Sequence, residues 1–137
     1  MTNPLHMTRP AILLVALLEA TPAWAACPAG QTPMLDVRIY FGLMENGRQL
    51  TNSAWEDFLA RTVTPRFPAG YTVYDATGRW RDRQTKVIGR EPTRILEIDA
   101  PDTQELRDKA EEIRKTYATR FHQQSVGIVT LPACGAF

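Results

Sequence analysis

The sequence predicts an α+β domain of the ferredoxin-like βαββαβ type, an antiparallel sheet with two helices on one face. Two patterns predict it. Leu35, Val37, Ile39, Phe41 and Leu43 alternate strictly with Asp36, Arg38, Tyr40 and Gly42, the mark of a strand with one buried face. Leu106, Ala110, Ile113, Tyr117 and Phe121 recur every three or four residues, which lays an apolar stripe along a helix. The whole chain then reads strand, helix, strand, strand, helix, strand, and right-handed crossovers set the strand order 4-1-3-2.

Each element has a local cause. After the first strand, Glu45-Asn46-Gly47-Arg48 is turn chemistry. Ser53 and Glu56 have the spacing of a capping box and predict a helix start. Trp55, Phe58, Leu59 and Val63 form its apolar face, and Pro65 stops it because proline has no N–H for the ladder. Tyr71 to Arg81 reads as a second strand, with Gly78 predicting a bulge or bend. Asp82 to Lys86 is a polar hairpin loop, and Val87 to Asp99 returns as a third strand interrupted at Pro92. Pro101, Asp102 and Glu105 suit the first turn of the second helix. Ser125 to Leu131 is the last strand, ended by Pro132.

Residues 1–25 have the grammar of a secretory signal peptide. Arg9 precedes an apolar run from Ala11 to Leu18, and Ala23-Trp24-Ala25 offers a small-residue cleavage site. The run is shorter than the roughly 20 residues a membrane span needs. The expectation is a single α+β domain over 26–137, periplasmic or secreted. The net charge of +1 gives no polybasic reason to expect nucleic acid.

Cys27 and Cys134 flank the first and last strands. In the predicted order those strands are antiparallel neighbours, so an oxidising compartment favours a disulfide. The rival role for Cys27 is acylation, as in a lipoprotein. Trp24, however, occupies the place three residues earlier where that signal wants an aliphatic side chain. Two cysteines and His122 do not make a metal site, and no cofactor is expected.

Several blocks carry a resemblance to a known family. They are Tyr40-Phe41-Gly42, Trp55, Val63-Thr64-Pro65-Arg66-Phe67-Pro68 with Gly70, Gly78-Arg79-Trp80-Arg81, Arg90-Glu91-Pro92-Thr93, Gln124-Ser125-Val126 and Pro132-Ala133-Cys134. In them the chain resembles the bacterial family called domain of unknown function 3574. The resemblance implies an exported domain and no catalytic residue.

The residues themselves nominate a surface. The strand that buries Val37 and Ile39 must present Arg38 and Tyr40 on its other side. Trp80 flanks them on the hairpin, and Arg94 joins them if the register after Pro92 allows. Guanidinium groups beside aromatic rings hold carboxylates or phosphates; the plainer reading is solvated surface charge. Arg66 tips the rigid Pro65–Gly70 loop, which serves either as a fixed crossover or as a recognition loop. His122 follows the second helix, where a cation suits the dipole, and no acid stands near it in sequence to build a triad with Ser125. Two function classes follow. One is a non-catalytic binding or interaction module for a small anionic ligand or a protein partner, including a homodimer through the open sheet face. The other is a cofactor-free small-molecule enzyme of the dimeric α+β barrel type.

Overall fold

β1 (Thr32–Gly42) is one of the two inner strands of the sheet, paired along both its edges. The computed structural model describes residues 27–137, so the signal peptide expected over 1–25 lies outside the described residues. β1 runs antiparallel to β5 (Ile88–Ala100), from Leu35 opposite Ala100 to Gly42 opposite Thr93. On its other side it pairs with β6 (Gly127–Gly135), from Thr32 opposite Gly135 to Tyr40 opposite Gly127. β4 (Thr72–Arg81) pairs with β5 alone. The sheet order is therefore β4-β5-β1-β6. A small hairpin, β2 (Met44–Glu45) and β3 (Arg48–Gln49), follows β1. Asn46 and Gly47 turn it with φ of 48° and 78°, the left-handed pair that Asn-Gly adopts most readily.

Both helices cover the face that carries Val37, Ile39 and Phe41. α1 (Asn52–Phe58) runs on into a π-helical turn, Leu59–Val63, and α2 (Gln104–Arg120) crosses beside it. Trp55, Phe58, Ile113 and Tyr117 are buried against the sheet. Phe41 is the hub: its ring lies 5.4 Å from Trp55, 5.7 Å from Phe58 and 4.5 Å from Tyr117. Such tilted and edge-on pairs add to the burial of the rings themselves. The Tyr117 hydroxyl donates to the Gly42 carbonyl at 2.8 Å, and burial pushes that phenol well above its ordinary range.

Four local expectations need correction. Thr51, not Ser53, caps α1, accepting from the Ala54 amide at 3.2 Å. The cause is Leu50, which packs on the core together with Trp55 and fixes the chain's entry as a hydrophobic staple. Thr103 likewise caps α2 through the Leu106 amide at 3.1 Å, so Pro101 and Asp102 precede the helix.

β5 runs unbroken through Pro92, yet Pro92 ends its ladder with β1. The Pro92 carbonyl accepts from the Leu43 amide at 2.9 Å, but proline has no N–H to return. The Leu43 carbonyl accepts from Leu50 instead, at 2.8 Å, and this turns the chain into the β2–β3 hairpin. β6 also continues past Pro132, which lies opposite Leu35. β6 is an edge strand, where a missing donor on the open side is harmless.

The ends of β1 and β6 meet, and Cys27 and Cys134 are bonded there with Cα atoms 5.6 Å apart.

Candidate binding cleft

The sheet face away from the helices divides into two chemically different ends. At one end Arg38 lies between carboxylates, with Nη2 2.6 Å from Asp36 Oδ2 and Nε 3.0 Å from Glu97 Oε2. The Tyr74 hydroxyl donates to Glu97 Oε1 at 2.8 Å. Asp36 raises the Arg38 pKa further, while burial and the neighbouring Asp36 and Glu97 push Asp99 up. Arg38 therefore faces the open side as expected, but its donors are turned onto its own sheet.

At the other end the β4–β5 hairpin reaches past β1 and meets the loop between α2 and β6. Its tip is organised by Asp82, whose Oδ1 accepts from the amides of Gln84 at 2.9 Å and Thr85 at 2.7 Å. Gln124 ties the tip down: Nε2 donates to Asp82 Oδ2 at 2.7 Å and Oε1 accepts from the Arg83 amide at 3.1 Å. The Thr85 amide and Gln124 hold the Asp82 carboxyl at about 2.

Between this arm, the β2–β3 hairpin and the α2–β6 loop lies a cleft of about 430 Å³, within the size range of small-ligand sites. Trp80, Glu91, Gln123 and the arginines 81, 83 and 90 line it. Two glycines of the sheet let its lining side chains pack close to the backbone. A Cβ on Gly78 would stand 2.3 Å from Trp80 Nε1, so the indole folds back over that position, and the bulge or bend expected there is absent from the regular pairing of Gly78 with Glu91. A Cβ on Gly42 would stand 2.7 Å from Glu91 Oε1. Tyr40 lies beside Trp80: a Cβ on Gly127 would touch both Tyr40, at 3.6 Å, and Trp80, at 3.9 Å.

Of the residues nominated from sequence, Tyr40 and Trp80 come together here, and Arg38 lies farther along the same face. Two fall elsewhere. Arg94 stands opposite Phe41, on the helix side. It caps the core over the Trp55 ring at 5.1 Å and is held by Asp75 and Asn52, each at 3.0 Å. The register puts it there, because residues 94, 96 and 98 share a face. Arg66 is bonded to Glu112 of α2 and donates to the Thr62 carbonyl at 2.7 Å, so the Pro65–Gly70 loop is fastened to a helix. Sequence reasoning passed over Glu91 and Gln123. The available signal was that Gly42, Gly78, Glu91 and Gln124 all fall in the blocks of family resemblance.

His122 has φ of 50° and places Nδ1 2.7 Å from Glu45 Oε1. The acid missing from its sequence neighbourhood thus comes from the small hairpin, while Ser125, also at the cleft, makes no hydrogen bond to it. Among the described residues no group of three or more His, Cys, Asp or Glu could hold a metal ion. No described helix is long and apolar enough to cross a membrane.

Solved structures share the architecture at low identity. A phage SAM lyase in complex with S-methyl-5'-thioadenosine aligns with a TM-score of 0.60 and 14% identity, covering 81% of this chain and 93% of that one. A phage SAM lyase in its apo state gives 0.56 and 16%, covering 79% and 91%. CutA from Synechococcus elongatus PCC7942 gives 0.49 and 9%, covering 77% and 83%. No curated protein matches the sequence. The family described as protein of unknown function (DUF3574) matches residues 36–137, and the chain belongs to that family.

Proposed function

We propose that this chain is an exported ferredoxin-like βαββαβ domain, released from a signal peptide at 1–25, that binds a small anionic ligand in the Trp80 cleft without chemistry of its own. The β2–β3 hairpin is then an insertion in that fold. The observation that carries the reading is a contrast among arginines. Arg38, Arg66 and Arg94 are each tied to a carboxylate. Arg81, Arg83 and Arg90 line the cleft and form no ion pair among the described residues. Unpaired guanidinium groups beside an indole suit an anion with a flat or apolar body. The phage SAM lyase, as described, holds S-methyl-5'-thioadenosine. A protein of this architecture therefore takes up a ligand of nucleoside size, and at 14% identity nothing finer carries over. Export is supported by the Cys27–Cys134 bond, which suits an oxidising compartment and leaves the Cys27 sulfur no valence for a lipid.

The test is a calorimetric titration of the mature protein with inorganic phosphate, citrate and adenosine monophosphate. At least one should bind, and the Arg83→Ala/Arg90→Ala double variant should weaken it about tenfold or more at unchanged Tm. Equal affinity in the variant, or no binding by any of the three, rejects the reading.

A second reading is the enzyme formed when two open faces close into a dimeric α+β barrel. It is favoured by Tyr74, Val129 and Leu131, which are 42%, 44% and 46% exposed on that face. A purified protein that stays monomeric at high concentration on a sizing column rejects it.

A further inference from the structure

Two acceptor side chains that line the cleft, Glu91 and Gln123, press their oxygens against Gly42 of β1. The position a Gly42 Cβ would take lies 2.7 Å from Glu91 Oε1 and 3.1 Å from Gln123 Oε1. The orientation of the Gln123 amide is set by its surroundings. Its Nε2 donates to the Met44 carbonyl at 2.7 Å and to the Phe121 carbonyl at 2.9 Å. Both its N–H groups are therefore used, and the opposite flip would set oxygen against two carbonyls. Oε1 is left facing Glu91, and neither it nor the Glu91 carboxylate accepts a hydrogen bond from any described residue.

Two such oxygens side by side repel each other. Glu91 is also partly desolvated, which pushes its pKa up with no opposing contribution from a donor. The arrangement asks for a donor that serves both oxygens at once. A protonated amine fits best, because it has three N–H groups on one small centre and a full positive charge to answer the carboxylate. The neighbouring Trp80 ring, folded over Gly78 opposite Glu91, adds a face that attracts cations. Gly42 is what lets both oxygens come so close to β1.

We propose that Glu91 and Gln123 are the seat of an ammonium group. The ligand of the cleft is accordingly a small zwitterion, an amino acid or short peptide. Its amine bridges the two oxygens on their cleft side and its carboxylate reaches Arg83 and Arg90. This deepens the anion-binding reading and rests on it.

Triglycine, N-acetyl-triglycine and triglycine amide test the two ends separately, by NMR titration of the mature protein at millimolar concentration. Triglycine should bind, and blocking either end should weaken it about tenfold or more. Glu91→Gln keeps the shape of the side chain and should abolish the preference for the free amine. Gly42→Ala, whose methyl would meet Glu91 Oε1 at 2.7 Å, pushes the two oxygens out of place and should do the same, with Tm reporting that each variant is folded. The amine seat is overturned if N-acetyl-triglycine binds as well as triglycine, or if Glu91→Gln keeps the preference. If none of the three peptides binds while phosphate or citrate does, the zwitterion fails and the anion site stands. If no anion binds either, both fail.

Discussion

Glu91 is held where burial disfavours its charge, and no described group compensates. The sign of its contribution follows. A carboxyl whose folded pKa is raised above its value of 4.5 binds more protons folded than unfolded, so stability falls as pH climbs through that window. Glu91→Gln is therefore expected to raise Tm at neutral pH, and the gain should fade below the ordinary carboxylate range. Thermal melts of both proteins between pH 3 and 8 check it; a variant less stable than the parent at pH 7 contradicts it. Gly78→Ala should displace the indole that lies 2.3 Å from its would-be Cβ, read as a shift in tryptophan emission, while Trp55 stays buried. At this scale the sequence was partly legible. Alternation alone placed Arg38 and Tyr40 on the open face. It could not assign Glu97 as a partner of Arg38, because Glu97 reaches it only through cross-strand register. Glu91 and Gln123 lie far apart in sequence and meet only over Gly42.

The elements show why single residues mislead about boundaries. Ser53 has the right spacing for a cap, but Leu50 and Trp55 decide where the helix begins. Pro92 and Pro132 read as interruptions, yet each sits where its missing donor affects one edge only. The β4–β5 arm was legible as a hairpin with a polar tip; its docking on Gln124 was not, since nothing local requires it. That docking should respond to acid. Asp82 is lowered from 3.8 to about 2 in the folded protein, so its contribution is complete above the unfolded value and is lost as pH falls toward 2. The protection of the Thr85 and Arg83 amides against hydrogen exchange, taken relative to the intrinsic rate at each pH, should fall over that range before the core melts. Protection that persists to global unfolding would show that Asp82 does not hold the arm.

For the whole molecule, periodicity was enough to find four long strands and two helices on one face, because burial on one side writes itself into spacing. The β2–β3 hairpin escaped because strands of two residues have no period. The core gives a direct test of that arrangement. Ile113 is fully buried, and Ile113→Ala should cost about 2–5 kcal/mol in denaturant unfolding. Replacing Cys27 and Cys134 by serine should cost about as much, 2–5 kcal/mol. A loss well below 1 kcal/mol in either experiment would mean that the helix packing or the crosslink contributes little.

The crosslink spans a sequence separation of 107 residues, so nearly all of the described chain lies inside one covalent ring. A protease that cuts once, for instance at the exposed Val87–Ile88 next to the arm's tip, opens the ring and releases nothing. The nicked protein should keep the parent's mass on a non-reducing gel and separate into two fragments only after a thiol is added. In a compartment rich in proteases, a first cut would then leave the sheet tied at one end.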